Sequence, residues 1–199
     1  MSLTAEFDRH FTACPLVAVL RGITPGEVEA VGEALVAGGI RIVEVPLNSP
    51  DPLASIARLA TCLDGRAIVG AGTVLHPDQV AGVRGAGGQL IVSPTVNPAV
   101  IAATLAAGMI SCPGFFTPTE AFAALEAGAH ALKLFPAEAM SPSVVKALRA
   151  VLPRDVPLLI VGDTLKVASA TPDPDLSRPI RGLKRKSLRR RGDSPALHP

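Results

Sequence analysis

Short apolar runs alternate with Ala/Leu-rich stretches from residue 16 to residue 162. Seven runs predict strands: LVAVLR (16–21), RIVEVPL (41–47), AIVGAGT (67–73), QLIVSP (89–94), MISCPG (109–114), ALKLFP (131–136) and PLLIVG (157–162). The stretches between them predict helices over residues 25–38, 51–62, 77–87, 97–107, 118–128 and 142–151. Apolar strands that alternate with helices are typical of a parallel sheet covered by helices.

Proline and glycine mark the ends of these helices. Every predicted helix has a proline in its first turn, where the missing N–H costs nothing: Pro25, Pro52, Pro77, Pro98, Pro118 and Pro142. Glycines at 37–39, 86–88, 106–108 and 126–128 fit C-terminal caps. A doubly wound sheet and a closed barrel both contain this alternation. The even repeat, with no GxGxxG after the first strand, favours a (β/α)8 barrel of the TIM-barrel type.

The alternation stops at residue 162, one strand short of eight. Residues 1–162 contain 10 Lys/Arg and 13 Asp/Glu, whereas residues 163–199 contain 9 and 4. The second stretch also has five prolines and a basic run, KRKSLRRR (184–191). We predict a catalytic barrel domain over 1–162, with its eighth βα unit missing or replaced by a basic, Pro/Arg-rich tail over 163–199 whose composition is typical of disorder.

Composition and missing motifs exclude several classes of protein. Three cysteines lie far apart without a CxxC pair, which indicates a reducing cytoplasm. No apolar run reaches the roughly 18 residues that span a bilayer, and the N-terminus lacks a signal pattern. The four histidines lack metal-ligand spacing, and no P-loop is present. We expect a cytoplasmic protein with no membrane contact, metal or cofactor.

Two ionisable residues interrupt apolar strands. Lys133 lies in ALKLFP, and Glu44 lies in RIVEVPL. Burial strips water from an ammonium group and favours the neutral amine, which can attack a ketone to form an imine. A buried carboxylate needs a partner and can transfer protons beside such a lysine. The alternatives are a lysine that reaches solvent past a helix and a purely structural Lys–Glu pair.

Two further polar residues end predicted strands, where the reacting groups of a β/α barrel lie. The guanidinium of Arg21 could hold a carboxylate through two parallel hydrogen bonds, and Thr73 could add a hydroxyl donor. Solvation of a strand end explains either residue equally well. Phe135, next to Lys133 on the strand, could line the site or pack in the core.

Five segments together resemble a known family. LRGITP (20–25), VEVPLNSP (43–50), IVGAGTVL (68–75), CPGFFTPTEAF (112–122) and ALEAGAHALKLFPAE (124–138) are similar, in order and spacing, to the 2-keto-3-deoxy-6-phosphogluconate and -galactonate aldolases. The resemblance runs from about residue 14 to residue 162. It implies a trimeric (β/α)8 barrel that cleaves a phosphorylated 2-keto-3-deoxy sugar acid into pyruvate and glyceraldehyde 3-phosphate.

The resemblance also implies roles for individual residues. Lys133 would form the Schiff base and Glu44 would move protons, while Arg21 and Thr73 would hold the pyruvate carboxylate. The remaining substrate-binding positions would be Asn48, Pro94, Phe135, Val161 and Gly162. The segment LNSP (47–50) and Val161 are similar to the galactonate type, whereas LFPAEA (134–139) is closer to the gluconate type. These comparisons favour 2-dehydro-3-deoxy-6-phosphogalactonate as the substrate.

The C-terminus departs from the family. Family members have a Gly-Gly turn after the seventh strand, followed by an eighth βα unit that helps to bind the phosphate. Here Gly162 is followed by Asp163, whose charge would oppose a phosphate. This departure leaves three alternatives: a 6-phosphogluconate-type enzyme, a 4-hydroxy-2-oxoglutarate aldolase, and a catalytically impaired truncated homologue. A nucleic-acid-binding tail is disfavoured because KRKSLRRR (184–191) has no interleaved aromatic residues.

Overall fold

The computed structural model describes residues 1–162 and the backbone of Ala168–Ser169. Its helices are α1 (Leu3–Ala13), α2 (Val28–Ala37), α3 (Pro52–Cys62), α4 (Pro77–Gly85), α5 (Pro98–Ala106), α6 (Pro118–Glu126) and α7 (Pro142–Val151). A 3-10 turn covers Ala137–Ala139. None of the helices in this part of the chain is long and apolar enough to cross a bilayer.

The strands follow the predicted order. They are β1 (Ala18–Val19), β2 (Ile42–Pro46), β3 (Ile68–Gly72), β4 (Leu90–Val92), β5 (Ile110–Cys112), β6 (Gly114–Phe115), β7 (Leu132–Leu134), β8 (Leu158–Ile160) and β9 (Ala168–Ser169). The predicted strand over residues 109–114 is divided into β5 and β6 at Pro113, which has no N–H to donate to a ladder. The seven predicted strands are therefore confirmed.

Strands β1 to β8 run parallel, in two hydrogen-bonded groups that together form a barrel of the TIM-barrel type. Strands β1 to β5 pair in sequence order, and β6, β7 and β8 continue the order. The carbonyl of Pro113, between the two groups, accepts a hydrogen bond from the N–H of Lys133 on β7. Apart from β5 and β6, which only Pro113 separates, each strand from β1 to β8 connects to the next through a helix, as is usual for parallel strands joined by right-handed crossovers.

Proline and glycine act at the helix ends as predicted, with one exception. Proline occupies the first turn of α3, α4, α5, α6 and α7. Glycines with positive φ follow α2, α4, α5 and α6, at residues 39, 87, 108 and 128. The exception is Pro25, because α2 begins only at Val28, after a turn in which the side chain of Glu27 accepts hydrogen bonds from the N–H and hydroxyl of Thr24.

Two layers of buried side chains fill the structure. One cluster lies inside the barrel and contains Val17, Ile42, Ile68, Leu90, Val92, Ile110, Cys112 and Leu159. The opposite faces of the strands pack against the helices in two further clusters. The pattern analysis did not predict α1, whose Phe7 and Phe11 join the interior cluster beside residues near the amino ends of the strands. Helix α1 therefore covers that end of the barrel.

The barrel has a seam between β1 and β8. Within the described residues, β1 pairs only with β2, and β8 pairs on its outer side only with β9. Strand β9 runs antiparallel to β8, with Ser169 opposite Leu159 and Ala168 opposite Ile160. A complete parallel barrel would have a parallel eighth strand at this place. The rest of the predicted basic tail, including residues 184–191, lies outside the described residues.

The core assignment can be tested within one helix. Leu59 in α3 has no exposed surface, whereas Leu53 in the same helix is 40% exposed. Replacement Leu59→Ala removes buried methyl groups and leaves a cavity, so we expect the free energy of unfolding to fall by about 2–5 kcal/mol. The matched change Leu53→Ala should cost less than about 1 kcal/mol. Urea unfolding followed by circular dichroism measures both, and equal losses would contradict the assignment.

Candidate active site

Lys133 lies in the interior of the barrel. It is the middle residue of β7, level with Gly114 on β6 and Leu159 on β8. Level residues on neighbouring parallel strands point to the same side, and Leu159 belongs to the interior cluster. The side chain is 7% exposed. Its Nζ lies 4.9 Å from the centroid of the Phe135 ring, an arrangement that stabilises a cation.

Glu44 enters the same interior from β2. It is level with Val19 on β1 and Gly70 on β3, and it is 2% exposed. Its carboxyl group occupies the space above Gly72, where a methyl group on residue 72 would overlap it. The buried Oε2 has no hydrogen-bond partner. A carboxyl oxygen left unpaired in an apolar interior is costly, which marks Glu44 as a candidate for function.

Burial changes the protonation of Glu44. It raises the pKa of this carboxyl to about 7 from an ordinary value of 4.5. The positive charges of Lys133 and Arg21 oppose the rise but do not cancel it. A carboxyl group with a pKa near neutrality can both donate and accept a proton at physiological pH, as a general acid and base must.

A small cavity joins the two side chains. It has a volume of about 20 Å³ and is lined by Phe11, Pro15, Val17, Val19, Glu44, Val92, Lys133, Leu159, Ile160 and Val161. That volume holds about one water molecule. Glu44 and Lys133 supply the ionisable groups of this lining, and the other residues are apolar. The cavity therefore brings an amine and a carboxyl group together where water is scarce.

Arg21 and Asn48 lie outside this buried centre. Both are exposed, and the Nη1 of Arg21 donates a hydrogen bond of 3.1 Å to the Oδ1 of Asn48. Arg21 follows β1, and Asn48 follows β2, so both stand beyond the carboxyl ends of their strands. The N–H of Gly22 donates to the Oγ of Ser49, which ties the two turns together.

Thr73, Pro94, Val161 and Gly162 also lie at or just beyond strand ends. All four are partly buried. Thr73 follows β3 with a φ of 57°, an uncommon conformation for a β-branched residue. Val161 lines the cavity, whereas Arg21, Asn48, Thr73, Pro94 and Gly162 do not. The structure thus brings Lys133, Glu44 and Val161 to one cavity, with Phe135 against Lys133. The other predicted residues form a rim at or beyond the carboxyl ends of the strands: Arg21, Asn48, Thr73, Pro94 and Gly162.

Two residues of the site were missed by sequence reasoning. Gly72 makes room for the Glu44 carboxyl. The signal available in the sequence was the run of small residues GAG (70–72), on the predicted strand that follows the one with Glu44. Cys112 is fully buried in the interior cluster, and burial raises the pKa of its thiol to about 12. The thiol therefore stays protonated and is not a nucleophile at neutral pH.

No metal centre accompanies these groups in the described part of the chain. Over residues 1–162, His, Cys, Asp and Glu side chains do not gather in the groups of three or more that could hold an ion. The chemistry available at the cavity is that of an amine and a carboxyl group.

The fold and the site define a class: β/α barrels that carry a lysine and a glutamic acid on one interior cavity. Comparison with known proteins gives the family. The chain belongs to the KDPG and KHG aldolase family, whose pattern it matches over residues 7–162. The match ends two residues after β8.

Individual relatives are substantially similar. The probable 2-dehydro-3-deoxy-6-phosphogalactonate aldolase of Rhizobium meliloti (strain 1021) is 48% identical, over 77% of this chain and 72% of the relative. The 2-dehydro-3-deoxy-6-phosphogalactonate aldolase of Escherichia coli (strain K12) is 49% identical, over 76% of this chain and 74% of the relative. About a quarter of each relative is therefore unmatched.

Solved structures agree with the fold. A native KDPGal structure superposes with a TM-score of 0.73 at 49% identity, covering 75% of this chain and 73% of the other. A KDPG aldolase from Legionella pneumophila, solved with pyruvate captured as a covalent carbinolamine intermediate, has a TM-score of 0.71 at 28% identity. It covers 79% of this chain and 76% of the other.

The space reserved for the Glu44 carboxyl can be tested at Gly72. A methyl group at residue 72 would overlap the carboxyl and force it to move. We expect Gly72→Ala to lower the free energy of unfolding by about 1–3 kcal/mol, as overpacking of a core does. The control is Gly85→Ala, at an exposed helix end where an added methyl meets nothing within 4 Å. Urea unfolding measures both changes, and a Gly72→Ala protein as stable as this control would exclude the packing described.

The raised pKa of Glu44 predicts a pH-dependent stability. Because the folded-state pKa of about 7 exceeds the ordinary 4.5, the stabilisation is fully present below pH 4.5. It is lost as the pH rises through 7, when the buried group must ionise. Relative to Glu44→Gln, whose amide does not titrate, the wild type should lose on the order of 3 kcal/mol across this range. Parallel pH profiles of unfolding for the two proteins would contradict the shift.

Proposed function

We propose that the chain is a class I aldolase that cleaves 2-dehydro-3-deoxy-6-phosphogalactonate to pyruvate and glyceraldehyde 3-phosphate. Lys133 forms the Schiff base and Glu44 transfers the protons. The observation that carries the proposal is the shared interior cavity, which places a 7% exposed lysine beside a glutamic acid with a pKa of about 7. A structural ion pair would instead hold the amine and carboxylate within 4 Å, and no such contact forms between Lys133 and Glu44.

The reaction begins at the ketone carbon C2. The neutral amine of Lys133 attacks C2 and forms a carbinolamine. Protonated Glu44 donates its proton to the departing hydroxyl, so that water leaves and a positively charged iminium remains. The new positive charge then favours the carboxylate form of Glu44, which prepares this group to act as a base.

Cleavage uses the iminium as an electron sink. Glu44 accepts the proton of the C4 hydroxyl through a water molecule, the C3–C4 bond breaks, and its electron pair moves toward the iminium to give an enamine. The aldehyde departs. Protonation of C3 by Glu44 and hydrolysis of the resulting iminium release pyruvate and restore Lys133. Each proton that Glu44 accepts is returned within the cycle.

The rim residues supply recognition. We propose that Arg21 and Thr73 hold the substrate carboxylate, with Asn48 orienting Arg21 through their 3.1 Å hydrogen bond. Phe135, 4.9 Å from the Lys133 Nζ, supports the positive iminium. Pro94, Val161 and Gly162 complete the proposed binding surface. A rim of this kind keeps the substrate carboxylate away from the buried carboxyl of Glu44.

The names of the relatives support the choice of sugar acid. The two relatives near 49% identity are 2-dehydro-3-deoxy-6-phosphogalactonate aldolases, whereas the KHG/KDPG aldolase of Escherichia coli (strain K12) is 36% identical. The gluconate epimer and 4-hydroxy-2-oxoglutarate are the alternative substrates. Retro-aldol rates with the three compounds, measured by pyruvate release, distinguish them.

The unmatched C-terminal quarter leaves an impaired homologue as the second candidate function. The observation that favours it is the seam, because β1 has no second partner strand among the described residues. In such a homologue, imine formation would survive and cleavage of the phosphorylated substrate would be slow.

We also propose a homotrimer in the cytoplasm. The apolar side chains of Leu75 and Phe116, both about 40% exposed, support contact between subunits.

Borohydride trapping tests the Schiff base. We expect pyruvate plus borohydride to label Lys133, because reduction converts the iminium to a stable secondary amine, and peptide mass spectrometry locates the label. Lys133→Ala should abolish labelling. Lys146 is the other lysine within residues 1–162 and is exposed on α7. Lys146→Ala should therefore leave the labelling of Lys133 unchanged.

The outcomes separate the candidate functions. Label on Lys133 with rapid release of pyruvate from the sugar acid supports the aldolase. Label on Lys133 with pyruvate release about a thousandfold slower than imine formation supports the impaired homologue. A folded protein without label on Lys133 contradicts both.

A further inference from the structure

Ser49 is a buried serine beside the rim of the site. It is 7% exposed, although its chain neighbours Asn48 and Pro50 are both exposed. Its Oγ accepts a hydrogen bond of 3.0 Å from the N–H of Gly22, the residue that follows Arg21. We propose that Ser49 is a positioning residue, which holds the turn that carries Arg21 in the conformation that binds the substrate carboxylate. This inference rests on the proposed function, in which Arg21 binds that carboxylate.

Arg21 and Gly22 are the central residues of a tight turn. The N–H of Ile23 donates a hydrogen bond to the carbonyl of Leu20, which closes the turn. Gly22 has a φ of 78°, whereas the φ of Arg21 is not positive. This combination indicates a type II turn, in which the third residue has a φ of about +80°. Glycine adopts that φ without strain.

A glycine at this place in the turn also permits a second conformation. A type I turn gives the same residue a φ of about −90°, and it reverses the direction of the peptide group between the two central residues. In that form the N–H of Gly22 would point away from Ser49. The bond that closes the turn is 3.3 Å long, which is longer than usual for a backbone hydrogen bond. The shorter bond to Ser49 therefore favours the type II form over the type I form.

Ser49 is itself fixed to strand β2. Its N–H donates a hydrogen bond of 2.9 Å to the carbonyl of Pro46, the last residue of that strand. On the other side of the contact, the N–H of Leu20 donates a hydrogen bond to the carbonyl of Glu44. Strand β2 thus holds the turn of Arg21 at two points, directly at Leu20 and through Ser49 beyond its own end.

The conformation of the turn matters because the Arg21 side chain is exposed. Its Nη1 donates a hydrogen bond of 3.1 Å to the Oδ1 of Asn48, and its charge opposes the rise in the pKa of Glu44. The guanidinium therefore lies within electrostatic reach of the buried centre. A long exposed side chain loses rotamer freedom when it binds a ligand, and a backbone that is already correctly oriented reduces the cost of binding. Ser49 therefore acts on affinity for the carboxylate and not on the chemistry at Lys133.

The test uses Ser49→Ala in the full chain, with Ser55→Ala as its matched control. Ser55, in α3, is also buried, and its Oγ has no hydrogen-bond partner among the described residues. Each protein is incubated with pyruvate and cyanoborohydride, and label on Lys133 is measured against pyruvate concentration. We expect Ser49→Ala to raise the half-saturating concentration about three- to tenfold, as loss of one hydrogen bond does, with the rate at saturation unchanged. Ser55→Ala should change neither quantity.

Pyruvamide separates positioning from general damage to the site. It has the shape of pyruvate but no negative charge, so its hydrogen bonds to Arg21 lack the carboxylate's contribution. We expect Ser49→Ala to leave the half-saturating concentration of pyruvamide unchanged. A variant in which the fold or Lys133 itself is disturbed would label less with both compounds.

Two further variants assign the effect to the turn of Arg21. A methyl group on Gly22 meets nothing within 4 Å, so Gly22→Ala acts through the strained φ alone and disfavours the type II turn. It should raise the half-saturating concentration of pyruvate, as Ser49→Ala does. In an Arg21→Ala background, Ser49→Ala should have no further effect, because the guanidinium that it positions is absent.

The outcomes distinguish failure of this proposal from failure of the proposed function. Equal pyruvate affinities in Ser49→Ala and Ser55→Ala overturn the positioning role, as does an equal loss with pyruvamide or an additive loss in the Arg21→Ala background. If Ser49→Ala does not fold, an unchanged pyruvate affinity in Gly22→Ala overturns the role. Label on Lys133 of the wild type leaves the proposed function intact in each of these cases. A folded wild type without that label overturns both proposals together.

Discussion

The burial of the Glu44 carboxyl group governs the other features of the site. A carboxyl oxygen without a hydrogen-bond partner inside an apolar barrel raises the pKa of Glu44 to about 7, and the nearby charge of Lys133 limits that rise. The group is thus costly to keep ionised, and in the proposed mechanism the positive iminium on Lys133 would favour its carboxylate form. Gly72 leaves the carboxyl its space, because a methyl group at residue 72 would overlap the carboxyl and force it to move. The apolar lining is required because water would return the pKa toward its ordinary value.

The parallel barrel is what makes this burial possible. Alternate residues of each strand face inward, so one polar residue on β2 and one on β7 meet inside while their neighbours pack against the helices. Helix α1 completes the enclosure by placing Phe7 and Phe11 beside the amino ends of the strands. The proposed reacting groups, Glu44 and Lys133, are therefore fixed by regular strands, whereas Arg21, Asn48 and Thr73 stand on the turns that follow strands. Rigid strands hold the chemistry, and turns hold the proposed recognition.

Much of this arrangement could be predicted from the sequence. The strands and most helix ends followed from apolar runs, first-turn prolines and terminal glycines, because these signals are local. Polar residues inside apolar strands identified Lys133 and Glu44. Helix α1 escaped the pattern because its segment is not part of the strand–helix repeat. The start of α2 was placed too early because Pro25 lies in a turn before the helix. The cavity and the role of Gly72 depend on how distant strands meet, which no local pattern contains.

In a complete barrel, the enclosure of Glu44 and Lys133 and the binding of a distal phosphate go together. The seam between β1 and β8 separates these two requirements. Glu44 remains 2% exposed although β1 lacks a second strand partner among the described residues, because Phe11, Pro15 and the end of β8 surround the cavity on that side. The proposed imine chemistry depends on this local enclosure and on two side chains within residues 1–162. Binding of a distal phosphate depends on groups beyond the reacting carbons, and about a quarter of the relatives' length has no match here. We therefore expect a change confined to the C-terminus to alter which substrates are held rather than the proposed imine formation by Lys133.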